Sequence, residues 1–254
     1  TAHVEAGLRS FDRKMPEEIN RILTDTICDL LLTPSPDGDE NLLKEGVAPE
    51  KIHRVGNIMI DSLMINLKRS DSCNIHSRLG LDKGKYGVVT LHRPSNVDDK
   101  EAFERIITAL EVIGVRLPLV LPLHPRTKKQ AEKFGFTKRL ESIPNIVITN
   151  PAGYLDFVAL MASAKLVLTD SGGLQEETTA LGIPCITLRE NTERPITVTE
   201  GTNIVVGNET ATIISTAIET LETGGKTGKI PELWDGNTAV RISDVLLSHI
   251  NNRN

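Results

Sequence analysis

The chain has 254 residues, enough for one large domain or parts of two, with 39% apolar and 25% charged residues as in ordinary globular proteins. A formal net charge of −5 gives no basic field for nucleic acid or an anionic membrane surface, so an anionic ligand must be held by local donors. Three scattered cysteines (Cys28, Cys73, Cys185) form no metal or disulfide pattern and fit a reducing cytosol, no apolar run is long enough to span a membrane, and no signal peptide is visible.

The chain opens on Thr-Ala-His-Val-Glu with a motif at once, and so reads as a piece of something longer. "HVEAGLRS" (3–10) puts Glu5 after a strand end, with Gly7 following. A helix is predicted over 16–27, with Pro16 as a good first residue and Glu17 and Glu18 in its first turn. Acids there complement the helix dipole, and this plain reading of Glu17 has the edge on physics alone. The alternative is a carboxylate pair of Glu5 and Glu17 across a cleft, which would split acid and base roles. Strands follow at 29–33 and 52–56. A long helix begins near Asn57 and ends within 68–74, with a hinge expected around Asp61.

The strand at 86–91 ends in His92-Arg93-Pro94, where proline stops the ladder and leaves two polar side chains at the tip. Over 98–114 a helical stripe carries Phe103, Ile106, Ile107 and Leu110. The strand at 119–123 repeats the earlier arrangement, with His124 and Arg126 behind it. Two His/Arg pairs at strand ends of one sheet favour an anion site there. A strand at 145–149, a helix at 154–164 and a strand at 165–169 lead to Asp170-Ser171-Gly172-Gly173, which opens another helix. Strands at 184–188 and 203–207 flank a loop carrying Glu193-Arg194-Pro195. A helix at 210–222, a glycine-rich break and a terminal helix within 232–250 complete the chain. Most strands are continuously apolar, as in a parallel sheet covered on both faces, and the alternation with helices gives an α/β fold. Residues 1–60 hold too few strands to stand alone.

Amides at a helix start lack internal partners, and Gly172-Gly173 lets a phosphate approach them. The alternative is Ser171 as a plain N-cap. Glu177 lies about one turn in, where it could accept from ribose hydroxyls, while Glu176 reads as an ordinary first-turn acid. Arg194 reads either as a phosphate partner or as a solvated surface arginine. The residues alone therefore lead to a nucleotide or phosphorylated-sugar site between two α/β units, without metal, and to no particular reaction.

Taken together, "HVEAGLRS", "PEEINR", "GN", "HRPSN", "LHPRT", "LTDSGGLQEE", "GIPCITLRENTERPITVTEGTN" and "WDG" resemble the non-hydrolysing UDP-N-acetylglucosamine 2-epimerases, in that family's order along essentially the whole chain. The resemblance implies the GT-B-like α/β architecture, with the second Rossmann-like domain complete and the first only partial. Residues 1–60 would be the end of the first domain, 61–230 the UDP-binding domain, and 231–254 a terminal helix crossing back. It implies catalytic roles for Glu5, Glu17 and His92. It implies substrate binding by Arg21, Phe157 (near the uracil), Ser171, Gly172, Gly173, Glu177 and Arg194. Arg93 and His124 match positions of a second, regulatory UDP-sugar. Departures at Pro94 and over Pro125-Arg126-Thr127 bear on that regulatory site, and Ala152 stands where some members have a polar uracil contact.

The implied reaction is reversible epimerisation at C2 of UDP-N-acetylglucosamine to UDP-N-acetylmannosamine, through UDP elimination to 2-acetamidoglucal and re-addition. It would supply cell-surface polysaccharide synthesis, from the cytoplasm, in a homodimer, with no metal or other cofactor and no nucleic-acid or membrane partner. The alternatives are a hydrolysing epimerase, a GT-B glycosyltransferase, or an inactive UDP-sugar-binding fragment; with the first domain only partial, weak UDP binding and no turnover are expected of this chain alone.

Overall fold

A computed structural model describes residues 1–251; residues 252–254, at the end of the expected terminal segment, lie outside the described residues. The first unit comprises β1 (Ala2–Val4), α1 (Pro16–Ile27), β2 (Leu30–Thr33), α2 (Pro36–Lys44) and β3 (Ile52–Arg54). Its three strands pair in parallel in the order β1-β2-β3. α3 (Ile58–Ser70) and α4 (Ile75–Leu79) lead out of it.

The second unit runs β4 (Gly87–Thr90), α5 (Pro94–Val97), α6 (Lys100–Arg116), β5 (Leu119–Pro122), α7 (Pro125–Phe134), α8 (Thr137–Glu141) and β6 (Ile146–Thr149). It continues with α9 (Tyr154–Ala162), β7 (Leu166–Thr169), α10 (Gly172–Leu181), β8 (Cys185–Thr187), α11 (Pro195–Thr199), β9 (Asn203–Val205) and α12 (Thr210–Thr223). Its sheet is parallel throughout, in the order β6-β5-β4-β7-β8-β9. Numbered within this unit, that is the doubly wound order 3-2-1-4-5-6, which reverses between β4 and β7.

The expected stripe of α6 is the core of one face: Phe103, Ile106, Ile107 and Leu110 are fully buried, together with Ile213 and Ala217 of α12. The other face packs Ile60 and Leu63 of α3 against Val158 and Leu160 of α9 and Leu174 of α10. Each such side chain taken from water contributes roughly 1.5–3 kcal/mol. Both faces of the sheet are therefore covered, which is why β4, β5 and β7 read as unbroken apolar runs.

The chain returns through Trp234 to α13 (Thr238–Asn251). Trp234 is buried and donates its indole N–H to the Pro34 carbonyl at 2.9 Å. Asp61 lies in the first turn of α3 and is buried. Its carboxylate accepts from the backbone N–H groups of Thr238 (3.0 Å) and Ala239 (2.7 Å), capping α13. At Gly56 the φ is +94°, and a Cβ there would meet the Leu233 carbonyl oxygen at 2.2 Å, so this close seam requires glycine.

Candidate active site

The crevice outside the carboxyl ends of β4 and β7 is where an open α/β sheet binds ligands. β7 delivers Asp170, which is fully buried. Its carboxylate accepts the backbone N–H groups of His92 (2.9 and 3.1 Å) and Arg93 (2.9 Å) and the Asn96 amide (3.3 Å). His92 Nδ1 lies 2.9 Å from its Oδ1. Burial would raise the Asp170 carboxyl, but the His92 ring and these amides outweigh it and hold the group below the usual carboxylate range.

α10 starts immediately afterwards. Ser171 occupies the N-cap position, but its side chain makes no capping bond, and its own N–H goes to Thr169 Oγ1 at 2.9 Å. The plain capping reading therefore does not describe it. The two glycines differ: a Cβ on Gly172 would meet Glu193 Oε1 at 2.6 Å, whereas one on Gly173 would meet nothing within 4 Å. Gly172 serves packing, and Gly173 faces open space at the positive end of the helix.

Glu176 corrects the sequence reading. It is not a first-turn acid of the surface; it is 1% exposed and lies further into α10. It accepts from Asn57 Nδ2 at 2.9 Å, and its Oε2 lies 3.1 Å from Arg194 Nε. Burial pushes its carboxyl up to about 7 in spite of Arg194, with the nearby Glu5 adding to the rise. Arg194 is likewise no surface arginine, its side chain being 11% exposed. Besides Glu176 it faces Glu193 Oε1 at 3.3 Å and Glu5 Oε2 at 3.8 Å. Burial would raise Glu193 too, but Arg194 and Arg189 (2.9 Å) hold it down to about 2.

Glu5 has a left-handed φ of +67°, a conformation that L residues avoid and that clusters at functional sites. Each of the two acids Glu5 and Glu17 faces an arginine of the second unit. Glu17 binds Arg93 Nη1 at 2.9 Å, while Glu5 faces Arg194. The neighbouring Glu18 is buried and structural: it accepts from Ser10 N–H (2.9 Å), Phe11 N–H (2.9 Å) and Arg21 Nη2 (2.8 Å). That bond ties Arg21 to the same carboxylate that holds the backbone of Ser10 and Phe11. A cavity of about 520 Å³ opens beside Glu17 and Arg93, with Met15, Asn96, Arg189 and Asn208 also in its wall.

Of the two His/Arg pairs, the structure joins the histidines but not the arginines. The His92 and His124 rings lie 5.4 Å apart. Arg126 turns away and forms a two-pronged pair with Asp98 at 3.0 and 2.5 Å. Glu177 is buried and accepts from the Tyr154 hydroxyl at 3.0 Å, with burial raising its carboxyl. Phe157, on the same helix as Tyr154, packs against the core beneath. Asp170, Glu176 and Tyr154 are the site residues the sequence reading assigned no role. A strand-end aspartate followed by Ser-Gly-Gly was the one usable signal. Among the described residues no cluster of acids, histidines and cysteines is placed to hold a metal ion.

A family model described as UDP-N-acetylglucosamine 2-epimerase matches residues 1–247. A UDP-N-acetylglucosamine 2-epimerase of Methanococcus maripaludis is 42% identical over 250 residues, 96% of this chain and 68% of its own length. A UDP-2,3-diacetamido-2,3-dideoxy-D-glucuronate 2-epimerase of Pseudomonas aeruginosa is 42% identical over 230 residues, 89% of this chain and 61% of its own length. The crystal structure of the Methanocaldococcus jannaschii UDP-GlcNAc 2-epimerase, in complex with UDP-GlcNAc and UDP, superposes with a TM-score of 0.89 at 44% identity. That superposition covers 97% of this chain and 68% of the other. The α/β, GT-B-like expectation is borne out, in partial form.

Proposed function

The chain belongs to the UDP-N-acetylglucosamine 2-epimerase family, and from that premise we propose that it inverts C2 of UDP-N-acetylglucosamine to give UDP-N-acetylmannosamine without net hydrolysis. The observation that carries this reading is the meeting of Glu5, from one unit, with Arg194, from the other, whose Nε would lie 3.6 Å from a Cβ on Gly172 in the Ser171–Gly173 turn. Proton handling and diphosphate binding thereby share one crevice. We divide the chain accordingly: residues 1–60 and 61–230 form the two walls and 231–254 the strap between them.

The C2 proton is not next to a carbonyl, so direct removal is very hard. In the proposed path the C1–O bond breaks first and its electron pair leaves with UDP. The oxocarbenium character at C1 acidifies C2–H, a carboxylate takes that proton, and 2-acetamidoglucal forms. Re-addition of UDP at C1, with a proton delivered to the opposite face of C2, gives the epimer. Ser171, Gly172 and Gly173 cradle the departing diphosphate with Arg194, and His92 assists them. Glu177 and Phe157 take the ribose and uracil, and Arg21 supports the loop. Glu5 and Glu17 are the proton-handling acids. Arg194 is already surrounded by carboxylates, so an incoming diphosphate competes with Glu5 for it. A regulatory UDP-sugar at Arg93 and His124 would have to displace Glu17 from Arg93. We also assign the enzyme to the cytoplasm, as a homodimer feeding cell-surface polysaccharide synthesis.

The test is proton NMR of UDP-N-acetylglucosamine incubated in D₂O with this chain extended by the first-domain residues that its relatives carry. UDP-N-acetylmannosamine carrying deuterium at C2 is expected. Proton retention at C2 would sink the elimination path, and free N-acetylmannosamine with UDP would make the enzyme hydrolytic. Turnover only of a 3-acetamido uronic acid would move the substrate to that of the Pseudomonas relative.

A further inference from the structure

We infer that Asp170 is the positioning residue of His92: it fixes that ring with the proton on Nδ1 and leaves Nε2 to meet a ligand, while the adjacent His124 is locked in the opposite form, with its proton on Nε2. The argument needs only hydrogen-bond chemistry. Three N–H groups already point at the Asp170 carboxylate, from His92, Arg93 and the Asn96 side chain. A carboxylate so served, and fully buried, is an acceptor only. Its Oδ1 lies 2.9 Å from His92 Nδ1. A bare nitrogen there would set a lone pair against an anionic oxygen, so Nδ1 carries the hydrogen. The two backbone amides fix the same carboxylate from the chain side. Asp170 therefore holds the ring and the tip of β4 together, across the point where the strand order reverses.

His124 obeys the same logic with the sign changed. It is the N-cap of α7, and its Nδ1 accepts the backbone N–H of Arg126 at 3.1 Å. An accepting nitrogen carries no proton, so the ring's hydrogen sits on Nε2 and the ring is neutral. Burial lowers its basicity, and the neighbouring His92 and Arg126 lower it further, in keeping with that assignment. Two rings 5.4 Å apart thus present different faces: His124 a fixed N–H donor, His92 a bare acceptor nitrogen. Resting on the epimerase reading, the use of this pair is clear. As the C1–O bond breaks, negative charge grows on the diphosphate. His124 meets that charge with its fixed Nε2–H, while His92, its Nδ1–H held by Asp170, keeps Nε2 as the acceptor of a ligand hydroxyl.

The experiment is a long-range ¹H–¹⁵N NMR spectrum of the histidine-labelled chain, recorded at about pH 8, above the ordinary histidine range. His92→Gln and His124→Gln variants identify the two rings. The expected result is the proton on Nδ1 for His92 and on Nε2 for His124. In Asp170→Asn the new carboxamide keeps its oxygen on the backbone amides and turns its NH₂ toward Nδ1. The His92 proton should then move to Nε2 while His124 stays unchanged. A wild-type His92 with its proton on Nε2 would overturn the inference, as would an Asp170→Asn ring still protonated on Nδ1. If Asp170→Asn does not fold, the wild-type spectrum alone decides. Neither readout needs UDP or turnover, so failure here and failure of the epimerase reading are told apart.

Discussion

Burial makes Glu176 costly to keep charged even with Arg194 beside it. Glu176 is fully buried, and its carboxyl is pushed up to about 7 from an ordinary 4.5. The folded protein therefore favours the protonated acid more than the unfolded chain does. The stability this contributes is fully present below pH 4.5 and is lost as pH rises through about 7. The gap corresponds to about 3 kcal/mol. Chemical denaturation of the wild type and of Glu176→Gln between about pH 5 and 8 should show the wild type losing up to that much relative to the variant. Parallel curves would mean that Arg194 keeps Glu176 ionised throughout. None of this was legible in the sequence, because the partner of Glu176 is Asn57, 119 residues away. A Glu-Glu pair behind a glycine turn looks alike whether its acids are exposed or buried.

At the scale of elements, α10 separates packing from binding within two residues. A methyl group at Gly172 meets the Glu193 carboxylate, and one at Gly173 meets nothing. Gly172→Ala should destabilise the fold by roughly 1–3 kcal/mol through overpacking. Gly173→Ala should leave thermal stability equal or higher by roughly 0.5–1 kcal/mol, since alanine loses less freedom on folding. Yet it should weaken UDP binding at least about tenfold in calorimetry, or about 1.4 kcal/mol, by crowding the diphosphate. Equal UDP affinity in wild type and Gly173→Ala would remove the anion from this turn. The strands around α10 were legible because burial on both faces writes an unbroken apolar run, as in Leu166–Thr169. α7 was not: its sequence is polar, and only Thr127 and Ala131 are buried, too few to write a stripe. α2 failed for the same reason, with Gly38 and Leu42 its buried residues.

The two units are held by a buried seam and touched by a charged one, and these should behave differently. The buried seam is the Trp234 indole on Pro34, Asn57 on Glu176, and Asp61 capping the helix that returns. The charged one includes Glu17 on Arg93, with side chains 50% and 21% exposed. An exposed pair of that kind is worth about 0–1 kcal/mol. Trp234→Phe keeps most of the apolar volume but leaves a buried carbonyl without its donor, at a cost of roughly 1–3 kcal/mol. Denaturant titration should therefore rank Trp234→Phe well below the wild type and Glu17→Gln beside it. Turnover, measured with the first-domain residues added, should rank the pair the other way: Glu17→Gln loses nearly all epimerisation, and Trp234→Phe keeps it wherever the protein is folded. A Glu17→Gln variant that loses stability and activity together would make the acid a clamp between the units rather than a proton carrier. Glu5 would then stand alone as the acid facing the sugar, and the second proton would have to come from a group other than Glu17.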